Sequence, residues 1–182
     1  MYFQISMFKE KSSNFTIEMK TLLICRHAKS DWSNLYLKDI DRELNQRGMR
    51  DAPMMGQRLF NRKYRPDLIV SSTAKRTYQT TVLIASELKF PEQKIMWVDR
   101  LYHASPATIQ EVIFGIDNAY NNIMVVCHNN GITDFVNQLG GHITDNVPTC
   151  GMVCFRFDTD RWEDYPLVKP QFEFFDFPKN QV

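Results

Sequence analysis

Apolar residues in this chain gather into short continuous runs, separated by stretches in which they recur every three or four positions. Leu22-Leu23-Ile24-Cys25 is the first such run, inside a strand expected over Lys20 to Cys25. Strands covered on both faces read as unbroken apolar runs rather than as alternation. The same reading gives strands at Asp67 to Ser71, Ile95 to Val98 and Asn122 to Cys127. Two later ones fall at Cys150 to Phe157 and at Gln171 to Phe177, closed by Pro178. Between the runs the period changes. Asn45 is placed to cap a helix running to about Asn61, with Met49, Ala52, Met55, Leu59 and Phe60 at near-helical spacing. Pro53 inside it predicts a kink or a later start. Ser72 is expected to cap a helix reaching about Leu88, with Val82, Ala85 and Leu88 as its apolar stripe. Pro106 suits the first turn of another, ending near Gly115. A fourth spans about Asn130 to Leu139 and ends at Gly140-Gly141. Strands alternating with helices predict a mainly parallel central sheet in a three-layer α/β/α fold.

Length adds one domain, residues 19–182, preceded by residues 1–18, a polar and aperiodic N-terminal extension of unknown role. The 22 basic and 21 acidic residues leave a net charge of +1, so neither nucleic acid nor an anionic membrane is expected as partner. No apolar run approaches the ~20 residues of a membrane span, and no secretory signal is visible. Cys25, Cys127, Cys150 and Cys154 lie in or beside strand patterns, which predicts buried free thiols and a cytoplasmic protein. No Cys-x-x-Cys pair suggests zinc. A monomer is the default expectation, since no interface signature stands out.

What changes the picture is how the runs end. The first strand finishes in Arg26-His27, the later one in Cys127-His128, and Pro66 to Ser72 leads into a helix bearing Arg76. Open α/β sheets bind ligands at the carboxyl ends of their strands. An arginine offers a fixed fork for phosphate, and a neutral imidazole is a competent nucleophile. Arg26, Arg76 and a protonated His128 could hold phosphoryl oxygens. The backbone N–H groups of Asn129, Asn130 and Gly131, opening a helix, could join them. Such chemistry requires no metal and no cofactor. Taken singly, each residue also fits a surface loop, a structural histidine or a solvated helix start; the joint placement at strand ends argues for a phosphate site. A cysteine phosphatase is excluded, because Asp31 and Thr133 stand six positions after Cys25 and Cys127 where an arginine would be needed.

Arg26-His27-Ala28-Lys29-Ser30 resembles the Arg-His-Gly-type signature of the histidine phosphatase superfamily, in the form found in SixA-type phosphohistidine phosphatases. The similarity continues through Asp41 to Gly48, Ser71 to Arg76, Leu101 to Pro106, Val126 to Gly131 and Pro148 to Gly151. It implies a phosphoglycerate mutase-like fold, His27 as a transiently phosphorylated nucleophile, and Arg26, Arg76 and His128 as the rest of the pocket, with Asn129 beside them. Cys127 replaces a usual glycine, and Asn130 a frequent proline. Cys127 is expected to be shielded and inert, with an oxidation-sensitive thiolate favoured by cationic neighbours as the alternative. Relatives acting on alkyl phosphates use a carboxylic acid to protonate the leaving group. The segment Leu101 to Pro106 offers only His103 for that, either as the acid or as a residue without a role. A missing carboxylate favours a less basic leaving group.

The expected function is therefore a phosphatase acting on phosphohistidine carried by a protein. The alternatives are a small phosphomonoester as substrate, or a catalytically weak phosphate-binding adaptor. Lys29, Lys38 and Arg42 could line the approach, and His142 reads as a loop residue.

Overall fold

The computed structural model describes residues 19–180; the N-terminal extension therefore lies outside the described residues. Six strands form one sheet: β1 (Lys20–Arg26), β2 (Leu68–Ser71), β3 (Ile95–Trp97), β4 (Asn122–Cys127), β5 (Met152–Phe157) and β6 (Gln171–Asp176). Their order is β3-β2-β4-β1-β5-β6. The pairs β1–β4, β2–β4 and β2–β3 are parallel, while β5 runs antiparallel to β1 and β6. Four helices cover it: α1 (Gln46–Asn61), α2 (Lys75–Glu87), α3 (Pro106–Phe114) and α4 (Gly131–Gly140).

Because side chains alternate along a strand, each central strand feeds two cores. Leu22, Ile24, Ile123 and Val125 pack with Ile109, Ile113, Phe135 and Trp162, under α3, α4 and a 3-10 segment over Trp162–Leu167. Leu23, Cys25, Met124 and Val126 pack with Met55, Leu59 and Ile84 under α1 and α2. The architecture is a three-layer α/β/α sandwich with a mainly parallel sheet, as its pattern predicts.

Two local expectations need correction, at Met49 and at Ser72, while the expected cap of α1 is found. The α1 helix starts where Asn45 caps it, its side chain accepting from the Gly48 N–H at 3.0 Å, and it continues through Pro53 with no later start. Met49 faces solvent rather than the core. Ser72 does not cap α2: its N-cap is Ala74, without a side-chain cap, and the helix buries Thr77, Thr80, Thr81 and Ile84 more fully than Val82. Those threonines can face inward because their hydroxyls bond locally, Thr77 to the Ala74 carbonyl and Thr80 to that of Arg76.

Glycine is structurally required where α4 begins. A Cβ on Gly131 would lie 1.9 Å from the Ala104 carbonyl oxygen, a backbone atom that cannot yield. The contact sets the loop carrying His103 against the segment following His128. Gly131→Ala is expected to destabilise the fold by ~1–3 kcal/mol, lowering the melting temperature by several degrees in thermal denaturation.

Candidate active site

Parallel pairing brings three strand ends into one row. Arg26 is opposite Cys127, and Val126 is opposite Ser71, so the residues that follow emerge together at one edge of the sheet. The row continues one step further: the His27 N–H donates to the Cys127 carbonyl at 3.1 Å and the Ser72 N–H to the Val126 carbonyl at 3.0 Å. His27 and His128 are thereby held with ring centroids 5.2 Å apart. A cavity of about 220 Å3 opens over them, lined also by Arg26, Arg76, His103 and Asn129. Arg26, His27, Arg76, His103, His128 and Asn129 all line this cavity, whereas Asn130 and Gly131, also nominated for their backbone N–H groups, do not.

The protonation of His27 follows from its contacts. Its Nδ1–H donates to the carbonyl oxygen of Ala28 at 2.7 Å. A neutral imidazole has one hydrogen, so Nε2 keeps its lone pair. Burial pushes the His27 pKa down to about 3; the Ala28 bond opposes this, and the charges of Arg76, Arg26 and Arg42 add to it. His128 is pushed to about 2, by burial first and then by His27 and Arg76. The expected protonated His128 is thus corrected: a ring this buried beside cations is neutral. Its Nε2 shares a 2.9 Å hydrogen bond with the Ser72 hydroxyl, which accepts from the Ala74 N–H at 3.4 Å. Ser72 can then donate into Nε2, placing the ring's hydrogen on Nδ1. That atom is buried with no partner among the described residues.

The arginines are fixed in different ways. Arg26 donates through Nη1 to the Val147 carbonyl at 2.7 Å and to Asn146 at 3.2 Å. Asn146 also receives the Asn129 side-chain amide at 2.7 Å, while Asn129 Oδ1 accepts from Thr133. With its side chain so committed, Asn129 has its backbone N–H left to offer. Arg76 points its guanidinium at the 31–45 loop, donating to the Asp39 carbonyl and to Asp39 Oδ2 at 2.8 Å.

Asp39 is the residue that sequence reasoning missed. Its Oδ2 accepts from Arg76, from the Tyr102 hydroxyl at 2.8 Å and from His103 Nε2 at 3.1 Å. Oδ1 accepts from Arg42 at 2.7 Å. Partial burial would raise its pKa, but the bonds from Tyr102 and Arg76 and the Arg76 charge outweigh that and hold it well below the carboxylate range. The pocket does contain a carboxylate, delivered from the loop before α1 rather than from the Leu101 to Pro106 segment. In this state it is ionised and is no proton donor. His103 is tied to it at the rim, with its ring 4.3 Å from that of Tyr102.

Other nominees separate clearly. Lys29 and Arg42 line the cavity, whereas Lys38 is exposed outside its lining. Arg42 is a knot, bonding the Asp31 carbonyl, Asp39 and Ser30 beneath the Trp32 ring. His142 lies on the surface, 3.3 Å from Asp145. All four cysteines are free and buried. Burial pushes the Cys127 thiol up to about 12, in keeping with the expected buried free thiol and against the alternative of a thiolate there.

Residues 22–101 match the family model described as the histidine phosphatase superfamily (branch 1). Over those residues, less than half of its length, the chain is similar to the histidine phosphatase superfamily. Phosphatase is accordingly its activity class. Among solved structures, it is similar to a protein assigned as phosphohistidine phosphatase SixA from Agrobacterium tumefaciens. That pair has a TM-score of 0.74 and 26% identity, over 86% of this chain and 96% of the other. A protein histidine phosphatase SixA complexed with tungstate shares the fold, with a TM-score of 0.73 and 17% identity over 87% and 97% of the two chains. An uncharacterised protein of Mycobacterium leprae is 28% identical over 166 residues, 85% of this chain and 99% of the relative. These neighbours fit the phosphoglycerate mutase-like fold expected of the sequence. No helix among the described residues is long and apolar enough to cross a membrane.

Two predictions follow from the electrostatics of this pocket. The depressed values of His27 and His128 contribute stability that is complete above an unfolded-state pKa near 6.5. It is lost as pH falls from there toward 3, by up to ~1.4 kcal/mol per pH unit for each ring. Imidazole NMR signals of both rings should remain in the neutral position at pH 5, and chemical denaturation should show the fall in stability. Asp39→Ala frees Arg76 and removes the anion nearest the phosphate position. Orthovanadate should consequently bind roughly tenfold tighter by titration calorimetry.

Proposed function

We propose that this phosphatase removes phosphoryl groups from phosphohistidine side chains displayed on other proteins, through a phosphorylated His27. The tautomer of His27 supports this reading most directly. With Nδ1–H held by Ala28, the free Nε2 electron pair is available to phosphorus in a buried, neutral ring. Arg26, the Nδ1–H of His128 and the Asn129 N–H would take the phosphoryl oxygens, and Arg76 would join them as Asp39 gives way.

Attack forms the bond between Nε2 of His27 and phosphorus while the bond from phosphorus to the substrate nitrogen breaks. The leaving ring departs as neutral imidazole when its other nitrogen already carries a proton. Water then attacks the phosphorus of phospho-His27. The N–P electron pair returns to Nε2, and the water proton leaves with phosphate or to solvent. A metal is not required by any of these steps. No strong acid is required either, which suits a pocket whose carboxylate is ionised. An alkoxide leaving group would need a proton donor, and His103 at the rim is the group placed to supply one.

The rim also favours a protein substrate. The loop that delivers Asp39 exposes Trp32, Leu35, Tyr36, Leu37 and Ile40, with Leu35 and Tyr36 at 87% and 100% exposure. Large apolar groups clustered at a site mouth mark contact with a partner protein. No acidic or basic extreme of the whole chain points to nucleic acid, and a monomer suffices for this chemistry.

The test is phosphate release from a phosphohistidine-bearing phosphotransfer domain, compared with 4-nitrophenyl phosphate and a sugar phosphate. Wild type should prefer the phosphohistidine protein, and His27→Ala should lose at least about a thousandfold in rate. Full activity in that variant would overturn the mechanism. Preference for the sugar phosphate would instead favour a small-molecule phosphomonoesterase with His103 as acid. Binding without turnover would make the chain an adaptor.

A further inference from the structure

Beside the phosphoryl pocket lies a second cavity of about 480 Å3 that shares Arg26, Lys29 and Thr149 with it. Its other charged residues come from two further segments: Arg47, Arg50 and Asp51 from the first turns of α1, and Lys179 from the tail after β6. Five cations therefore face one carboxylate, in a chain whose net charge is +1.

Of these cations, Arg47 and Arg50 alone have an acidic partner among the described residues. Asp51 is nearly buried and pairs with Arg50 at 3.1 Å and Arg47 at 3.6 Å, so a single carboxylate answers both. Lys29 and Lys179 have no ion pair among the described residues. Arginines at the start of α1 oppose its dipole, since a helix N-terminus favours negative charge. Each of these contributions raises the positive potential of the cavity.

The walls are built rather than incidental. Gly48 brings the first turn of α1 onto the Lys29 backbone, where any Cβ would lie 2.3 Å from the Lys29 carbonyl oxygen, and the Asn45 N–H donates to that oxygen at 3.0 Å. Arg47 reaches the Thr149 hydroxyl at 3.1 Å. Arg58 fixes the tail, donating to Asp176 at 3.0 Å, to the Phe177 carbonyl at 3.3 Å and to the Asn180 carbonyl at 3.2 Å. Lys179 lies within that anchored segment.

We propose that this annex is a second-anion subsite, which seats a carboxylate or phosphate borne by the same substrate as the phosphoryl group. A phosphoryl dianion bound over His27 would leave the annex cations uncompensated, and Arg26 at the shared wall joins the two sites. For a protein substrate, the second group is an acidic or phosphorylated side chain close to the phosphohistidine. The inference rests on reading the adjoining pocket as the phosphoryl site.

Binding of non-hydrolysable probes tests it without relying on turnover. Propylphosphonate carries one anionic group, 3-phosphonopropionate adds a carboxylate, and propane-1,3-bisphosphonate adds a second phosphonate. In titration calorimetry at low salt, at least one two-anion probe should bind about tenfold tighter than propylphosphonate, and the advantage should shrink in 0.5 M salt. Preference for the bisphosphonate alone identifies phosphate as the group recognised; preference for both identifies anions generally. Arg50→Gln with Lys179→Gln leaves Arg47 on Asp51 and should cut the advantage to below about threefold. A thermal melt confirms folding, and Lys179→Gln alone, which touches no Asp51 contact, should show part of the loss. Equal affinity for all three probes in wild type, or an undiminished advantage in the double variant, overturns the proposal. If His27-dependent turnover is absent while the affinity advantage persists, the catalytic reading fails and the subsite stands.

Discussion

Everything at the working edge of this protein depends on the parallel pairing of β1 with β4 and of β4 with β2. The register places Arg26 against Cys127 and Ser71 against Val126, and the next residue of each strand leaves the sheet at the same level. One backbone bond, from the His27 N–H to the Cys127 carbonyl, extends the ladder into the site. Two histidines are then confined between helices on either face, and confinement sets their chemistry. Removed from water beside arginines, an imidazole loses its affinity for a proton and keeps a free electron pair at neutral pH. Sheet geometry supplies both the position and the protonation state.

The same confinement concentrates positive charge, which is unstable without an answering anion. Asp39 provides it, gathering Arg76, Tyr102 and His103 on one oxygen and Arg42 on the other. The carboxylate resembles a ligand supplied by the chain itself.

The sheet, its alternation with helices and the residues at its strand ends were legible because buried parallel strands leave an unbroken apolar trace that stops where the chemistry starts. Arg26, His27 and His128 stand at such stops. Asp39 left no comparable signal: its loop has no period, and its partners come from α2 and from the segment before α3, far away in sequence. Ser72 was misread for a related reason. A serine before a helix reads as a cap, yet its hydroxyl serves His128, a contact only the β2–β4 register creates. Met49 fits the helical spacing but lies on the exposed flank of α1. Arg47 and Arg50 look like solvated helix residues until the tail after β6 closes a wall around them.

Arg42 joins events at the pocket to the surface of the protein. One guanidinium holds Asp39 with one nitrogen, Ser30 with another and the Asp31 carbonyl with the third, while its flat face lies 3.2 Å from the centre of the Trp32 ring. A plate pinned at four points cannot release one without shifting on the others. The indole at the mouth of the site is thus tied, through one guanidinium, to the carboxylate that meets Arg76.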